Sequence, residues 1–206
     1  MLIYSPVDYI TMPWKNGGGE TCQLAVSEQC HPDDQLPLWR LSIATVSQDG
    51  PFSLFEHYQR CIMLLEGAGM RLRFNQQEWI SVDAPLQRQI FSGQWQTDCE
   101  LIKGTIKDFN LMVDQRLADF VVDVLTLQNQ TLLWPDFFSS KDQTQCIDLI
   151  YIISGECDLE YQTLDGDSRV KRLTAKHTLI NRTNQLKSVH CSDDKAQIFV
   201  ARVFIR

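Results

Sequence analysis

The sequence predicts an all-β protein made of two small antiparallel β-barrels or sandwiches in one compact chain. Three observations carry that expectation. Apolar segments are short, rich in Ile, Val, Leu and Phe, and broken by Gly, Pro, Asp or Asn. Helix signals are scarce, and only a short turn at 135–140 reads as helical. The third observation is an internal echo: the segment from Cys61 to Leu72 and the segment from Leu149 to Glu160 share an apolar strand, a polar residue, Gly, a two-residue gap and a second strand, 88 residues apart.

Taken in order, strands are expected at 38–46, 60–66, 70–74, 101–105, 110–113, 120–127, 149–153, 157–163 and 197–205. Several are apolar on both faces, as sandwich-core strands are. A polar, turn-prone stretch falls between 115 and 130, so the halves are expected at 1–118 and 119–206, with the ligand pocket in the first.

The bulk numbers exclude several classes. A chain of 206 residues buries roughly 70% of its unfolded surface without staples. Net charge is −7, and the densest basic run, Arg169-Val170-Lys171-Arg172, follows Asp165 and Asp167, which argues against a nucleic-acid partner. Seven cysteines at irregular spacing, with no CxxC, read as reduced thiols. The N-terminus lacks the basic and apolar regions of a signal peptide, and no apolar run approaches about 18 residues. The expected location is the cytoplasm, with no membrane partner; a homodimer stays open.

Four segments offer chemistry. In Trp14-Lys15-Asn16-Gly17-Gly18-Gly19-Glu20, a cation and an amide precede three glycines whose backbone can approach an anion closely; a plain surface loop has the same composition. No Gly-Lys-Ser/Thr follows and no G-x-G-x-x-G opens a helix, so neither nucleotide motif is present. Alternation along Trp39-Arg40-Leu41-Ser42-Ile43-Ala44 puts Arg40, Ser42 and Ala44 on one face, which suits a polar cavity wall or an exposed strand. Arg60 shares a face with Ile62 and Leu64, and an Arg among apolar neighbours needs a carboxylate, an internal pair or the strand end. Asp108, Asn110 and Met112 point one way while Phe109, Leu111 and Val113 point the other; a local turn is the alternative.

Metal and nucleophile signatures are missing. His31, His57, His177 and His190 form no H-x-H or H-E-x-x-H, no Cys pair lies at zinc spacing, and G-x-S-x-G does not occur. No metal and no cofactor are expected.

Taken together these motifs resemble the HutD/Ves family. The resemblance rests on 13–21, on Trp39 to Ala44, on Gly50-Pro51-Phe52-Ser53-Leu54-Phe55, on Arg60, on Leu64-Leu65-Glu66-Gly67 and on Asp108-Phe109-Asn110-Leu111-Met112, and it spans essentially the whole chain. It implies a bicupin-like fold without metal ligands and a link to histidine utilisation, through a pathway intermediate such as N-formylglutamate or urocanate. The family's ligand-contacting arginine maps onto Arg60. Three motifs depart from the family pattern: Glu56-His57 where Pro-Gly is usual, Cys22 where Arg is usual, and Gln94 where Asp is usual.

The expected ligand-binding set is Trp14, Lys15, Asn16, Gly18, Arg40, Arg60, Asp108 and Asn110, around a small carboxylate. Arg60 would grip one carboxylate, with Lys15 and the glycine N–H groups at a second anionic end. The alternative is a metal-independent isomerase or hydrolase with Asp108 or Glu20 as base and Lys15 as acid.

Overall fold

A computed structural model describes residues 1–134, 145–182, 185–191 and 195–206. The helical turn expected at 135–140 lies outside them. Two compact units result: Tyr9–Ala118, and Asp119–Arg206 joined by Met1–Asp8.

The first unit is a sandwich of two antiparallel sheets. Six strands, β2 (Ile10–Pro13), β3 (Gly19–Val26), β4 (Trp39–Val46), β6 (Tyr58–Glu66), β9 (Arg88–Ser92) and β11 (Ile106–Asp114), lie in the order β2-β3-β4-β11-β6-β9. Four more, β5 (Gly50–Pro51), β7 (Met70–Phe74), β8 (Trp79–Val82) and β10 (Thr97–Leu101), form the order β5-β10-β7-β8. Ala44, Ile62 and Leu64 of the larger sheet pack with Met70, Leu72 and Cys99 of the smaller in one buried cluster. The opposite face of the larger sheet is buried too, at Leu41, Cys61, Phe109 and Leu111, which is why β4, β6 and β11 read as near-continuous apolar runs.

The second unit repeats the plan. Its sheets are β1 (Leu2–Tyr4), β17 (Thr178–Asn181), β14 (Cys146–Ser154), β19 (Ala196–Ile205) and β12 (Ala118–Leu127), in that order, and β13 (Gln130–Leu133), β18 (Leu186–Cys191), β15 (Glu156–Gln162) and β16 (Ser168–Thr174). Each strand from β4 to β11 has a counterpart eight places later at the same sheet position. The 88-residue echo is therefore the visible part of a repeat that runs through both units.

Two sequence expectations need correction. The first eight residues do not go with 9–118. β1 pairs antiparallel with β17, Leu2 opposite Ile180, and the Met1 amino group donates to Gln185 Oε1 at 3.0 Å. The strand expected at 101–105 instead ends at Leu101. Ile102, Lys103, Gly104 and Thr105 are exposed and form a bend, so a single apolar side chain there did not mean burial.

Candidate functional site

The site begins with strand register. Across β4, β11 and β6, Arg40, Met112 and Arg60 are direct neighbours. Ser42, Asn110 and Ile62 form the next row, and Ala44, Asp108 and Leu64 the one after. Period-two alternation sends all nine side chains to the same face of the sheet. In front of them lies a cavity of about 520 Å³, lined among others by Trp14, Lys15, Asn16, Arg40, Arg60, Asp108 and Asn110.

Arg60 is buried, at 7% exposure. Its Nη2 donates to Asn110 Oδ1 at 2.7 Å, and Phe52, Phe55 and Phe91 surround the guanidinium with ring centroids 5.4, 5.3 and 5.0 Å away. No carboxylate lies within ion-pair distance of Arg60 among the described residues, and its Nε is buried without a partner. Burial lowers its pKa to about 10; the nearby Asp108 opposes that shift and Arg40 adds to it. Arg40, half-buried, is likewise lowered by burial, and its Nε is also unpartnered.

Asp108 is 1% exposed. Asn110 Nδ2 donates to its Oδ1, so Asn110 joins Arg60 to Asp108 as a relay, while Asp108 Oδ2 has no partner. Burial pushes the carboxyl up to about 7, against the pull of Arg60 and the Asn110 hydrogen bond.

The triple-glycine loop forms the rim, with Lys15 and Asn16 exposed. It is a tight turn between β2 and β3, closed by Trp14 N–H to Gly19 O at 2.9 Å and Gly17 N–H to Trp14 O at 3.0 Å. Gly19 sits so close to β4 that a Cβ would lie 2.2 Å from Thr45 O. Trp14 is held by Nε1 donating to Thr21 Oγ1 at 2.8 Å.

Two sequence assignments fail on this geometry. Gly18 does not line the cavity: its N–H donates to Asn16 Oδ1 at 3.1 Å and its carbonyl accepts from Ser47, so the glycine amides serve the loop itself. Glu20 points away, because alternation along β3 turns Thr21 inward. The phenyl cage of Phe52, Phe55 and Phe91 was missed. Its signal was the Gly50-to-Phe55 motif next to a buried Arg, which reads as cation–π only once the loop folds back.

Of the three departures from the family pattern, one shows in the backbone. His57 has φ +68°, a conformation that glycine adopts freely, and it lies in the loop leading to β6. Neither Cys22 nor Gln94 lines the cavity.

The donor set does not fit a metal ion. Among the described residues Asp108 is the one carboxylate lining the cavity, no His or Cys lines it, and two guanidinium groups would repel a divalent cation. Among the described residues no group of three or more His, Cys, Asp or Glu side chains is placed to hold a metal ion.

In the second unit the 88-residue offset carries Arg60 to Asp148. That residue is buried and pairs with its register neighbour Arg202, Nε to Oδ1 at 2.6 Å. Trp134 Nε1 and Asn181 Nδ2 donate to its Oδ2 at 2.6 and 2.9 Å. Charge at this position is matched internally.

Fold and site together define a double β-sandwich with a cation-lined cavity in one unit. Bacillus subtilis oxalate decarboxylase shares the architecture, with a TM-score of 0.66 over 98% of this chain and 76% of its own at 8% identity, so the fold is of the cupin kind. The model of the HutD family matches residues 7–200, and the chain belongs to that family. A conserved protein of unknown function from Pseudomonas aeruginosa PAO1 is 31% identical with a TM-score of 0.79 over 98% of each chain. HutD from Pseudomonas fluorescens SBW25 is 28% identical, with a TM-score of 0.75 over 100% of this chain and 98% of its own. An uncharacterised 21.2 kDa protein in the hutC 3′ region of Pseudomonas putida is 44% identical over 109 residues; that match spans 51% of this chain and 54% of the relative, about half of each.

Proposed function

We propose that this protein binds a small acidic metabolite of histidine utilisation, such as N-formylglutamate or urocanate, without a metal. The observation that carries this reading is charge imbalance. Lys15, Arg40 and Arg60 line the cavity and Asp108 is the one acid among them, although the chain as a whole carries −7. A buried cation without a carboxylate partner, as Arg60 is, is costly, and an anionic guest supplies the missing partner. The cavity volume of about 520 Å³ falls in the ~300–1,000 Å³ range of small-molecule sites.

Arg60 takes one carboxylate through its open edge, and Arg40, in the same row beyond Met112, reaches the same or a second carboxylate. Lys15 closes over the guest from the rim and Trp14 covers its carbon skeleton. Membership of the HutD family supports the pathway. A binder of this kind limits the free level of an intermediate by sequestration, at protein concentrations comparable with the metabolite.

A second reading, a metal-independent enzyme on a small carboxylate, draws on Asp108, whose unpartnered buried oxygen and raised pKa suit a general base. Among the described residues no His or Cys lines the cavity to complete a nucleophile–base pair.

One experiment separates them. The purified protein is melted with N-formylglutamate, urocanate, histidine and glutamate in turn, and each ligand is then followed by NMR for a day. A ligand at about 100 times its Kd adds about 2.7 kcal/mol of stability. Stabilisation without turnover is the expected result, and Arg60→Met abolishes it. Turnover establishes the enzyme. No stabilisation by any acid, or an undiminished shift in Arg60→Met, overturns the binding site.

A further inference from the structure

Resting on the ligand reading above, we propose that the cavity takes up its carboxylate together with one proton, which is held on Asp108 Oδ2 and donated as a hydrogen bond to the guest. The geometry carries the argument. Asp108 Oδ1 is already committed to Asn110 Nδ2, and Asn110 Oδ1 to Arg60 Nη2. Oδ2 is buried, belongs to a residue that lines the cavity and has no partner among the described residues. An unmade hydrogen bond at such an atom is costly, and its natural complement is an atom of the guest.

The protonation state of that oxygen decides what the guest meets. As a carboxylate, Oδ2 presents negative charge to an incoming carboxylate in a space with little water, and the two repel. As an acid, Oδ2–H becomes a donor, and O–H···O⁻ hydrogen bonds to an ionised acceptor are short and strong. Two carboxyl groups in one site then share a single proton, as two close carboxylates cannot both stay ionised. The proton comes from solvent, and no other bond changes.

The groups around Asp108 leave it as the site of uptake. On its own strand Asn110 is neutral and already bonded. From β6 comes Arg60, beside the apolar Leu64; from β4 come Ala44, Ser42 and Arg40. From β10 the Cys99 thiol lies close enough to feel the Asp108 charge, and burial pushes that thiol up to about 12. Across the cavity stand Thr21 and Lys15. Burial already brings Asp108 to about 7 in the free protein. The anion then pushes it higher. Below that value the acid form is present beforehand and binding is independent of pH; above it, each bound anion brings in a proton and affinity falls with rising pH by up to ~10-fold per unit.

The test is calorimetric titration with N-formylglutamate, whose own carboxyls stay ionised throughout, at about pH 6 and about pH 8 and in buffers of different ionisation enthalpy. The expected result at the higher pH is uptake of close to one proton per ligand, weaker binding than at the lower pH, and loss of both effects in Asp108→Asn. Binding with no buffer-dependent heat overturns the proposal and leaves the ligand reading standing. Proton uptake that persists in Asp108→Asn overturns it too. No binding at either pH overturns both readings at once. If Asp108→Asn does not fold, the ¹³C carboxyl shift of Asp108 in the wild-type chain reads the same proton: it moves to the acid value on ligand addition at about pH 8, or the proposal fails.

Discussion

Asp108 and Arg60 share one sheet face, each nearly fully buried, yet they meet through Asn110 rather than as a direct ion pair. Single residues of this kind are legible in sequence because β alternation is strict. Once 106–114 is a strand, Asp108 and Asn110 must point with Met112, and an Arg beside Ile62 and Leu64 must face a core or a cavity. What sequence could not supply is the destination of backbone amides. The N–H of Gly18 looks available to an anion until Asn16 is found bonded to it. The raised pKa of Asp108 also has a consequence for stability. Its native value of about 7 lies above the ordinary 3.8, so the native state binds the proton more tightly than the unfolded chain. This contribution is complete below about pH 4 and is lost as pH rises to about 7. Asp108→Asn therefore removes a downward slope in stability across that window. Urea unfolding of the free protein at about pH 8 is expected to find the variant at least as stable as wild type, by an amount on the order of a few kcal/mol.

The strand–Gly–strand corner is the element that repeats. Gly67, between β6 and β7, has φ +98°, and a Cβ there would lie 2.8 Å from Thr105 O, beside the start of β11. Gly155, between β14 and β15, has φ +76°, and its Cβ would lie 2.7 Å from Lys195 O, beside the start of β19. The same close approach occurs at the same topological place, so the two glycines were readable as equivalent from spacing alone. Gly67→Ala and Gly155→Ala are each expected to destabilise by more than about 1 kcal/mol, since Ala resists positive φ and the space is taken. Thermal unfolding checks both; a neutral Gly155→Ala would mean the corner is looser than described. Strands between such corners were legible in the same way. The bend after Leu101 was not, because Ile102 looks apolar in sequence and only tertiary position leaves it 44% exposed.

At the scale of the whole chain, one architecture is used twice with different charge. In the first unit the Arg60 position faces open volume, with no acid in direct ion-pair contact among the described residues. In the second, Asp148 and Arg202 neutralise each other, with Trp134 and Asn181 also donating to Asp148. The repeat was visible in sequence, but this difference was not, because it depends on register: Met112 opposite Arg60 in one unit, Arg202 opposite Asp148 in the other. Removing one member of a buried pair strands the other, so Asp148→Asn is expected to cost about 3–5 kcal/mol in urea unfolding while leaving ligand affinity in the first unit unchanged. The N-terminal strand was also assigned by sequence order to the wrong unit, since pairing with β17 is a long-range choice that local pattern does not encode.

The most direct test of cations awaiting an acid is the affinity of N-formylglutamate for wild-type protein and Arg60→Met, measured by calorimetry below about pH 7, where Asp108 is already protonated. A truncated partner of a buried charge-assisted contact is worth about 2–5 kcal/mol, so binding is predicted to weaken by roughly 30-fold or more in a variant that still melts cooperatively. Equal affinity in the two proteins would contradict the assignment of Arg60.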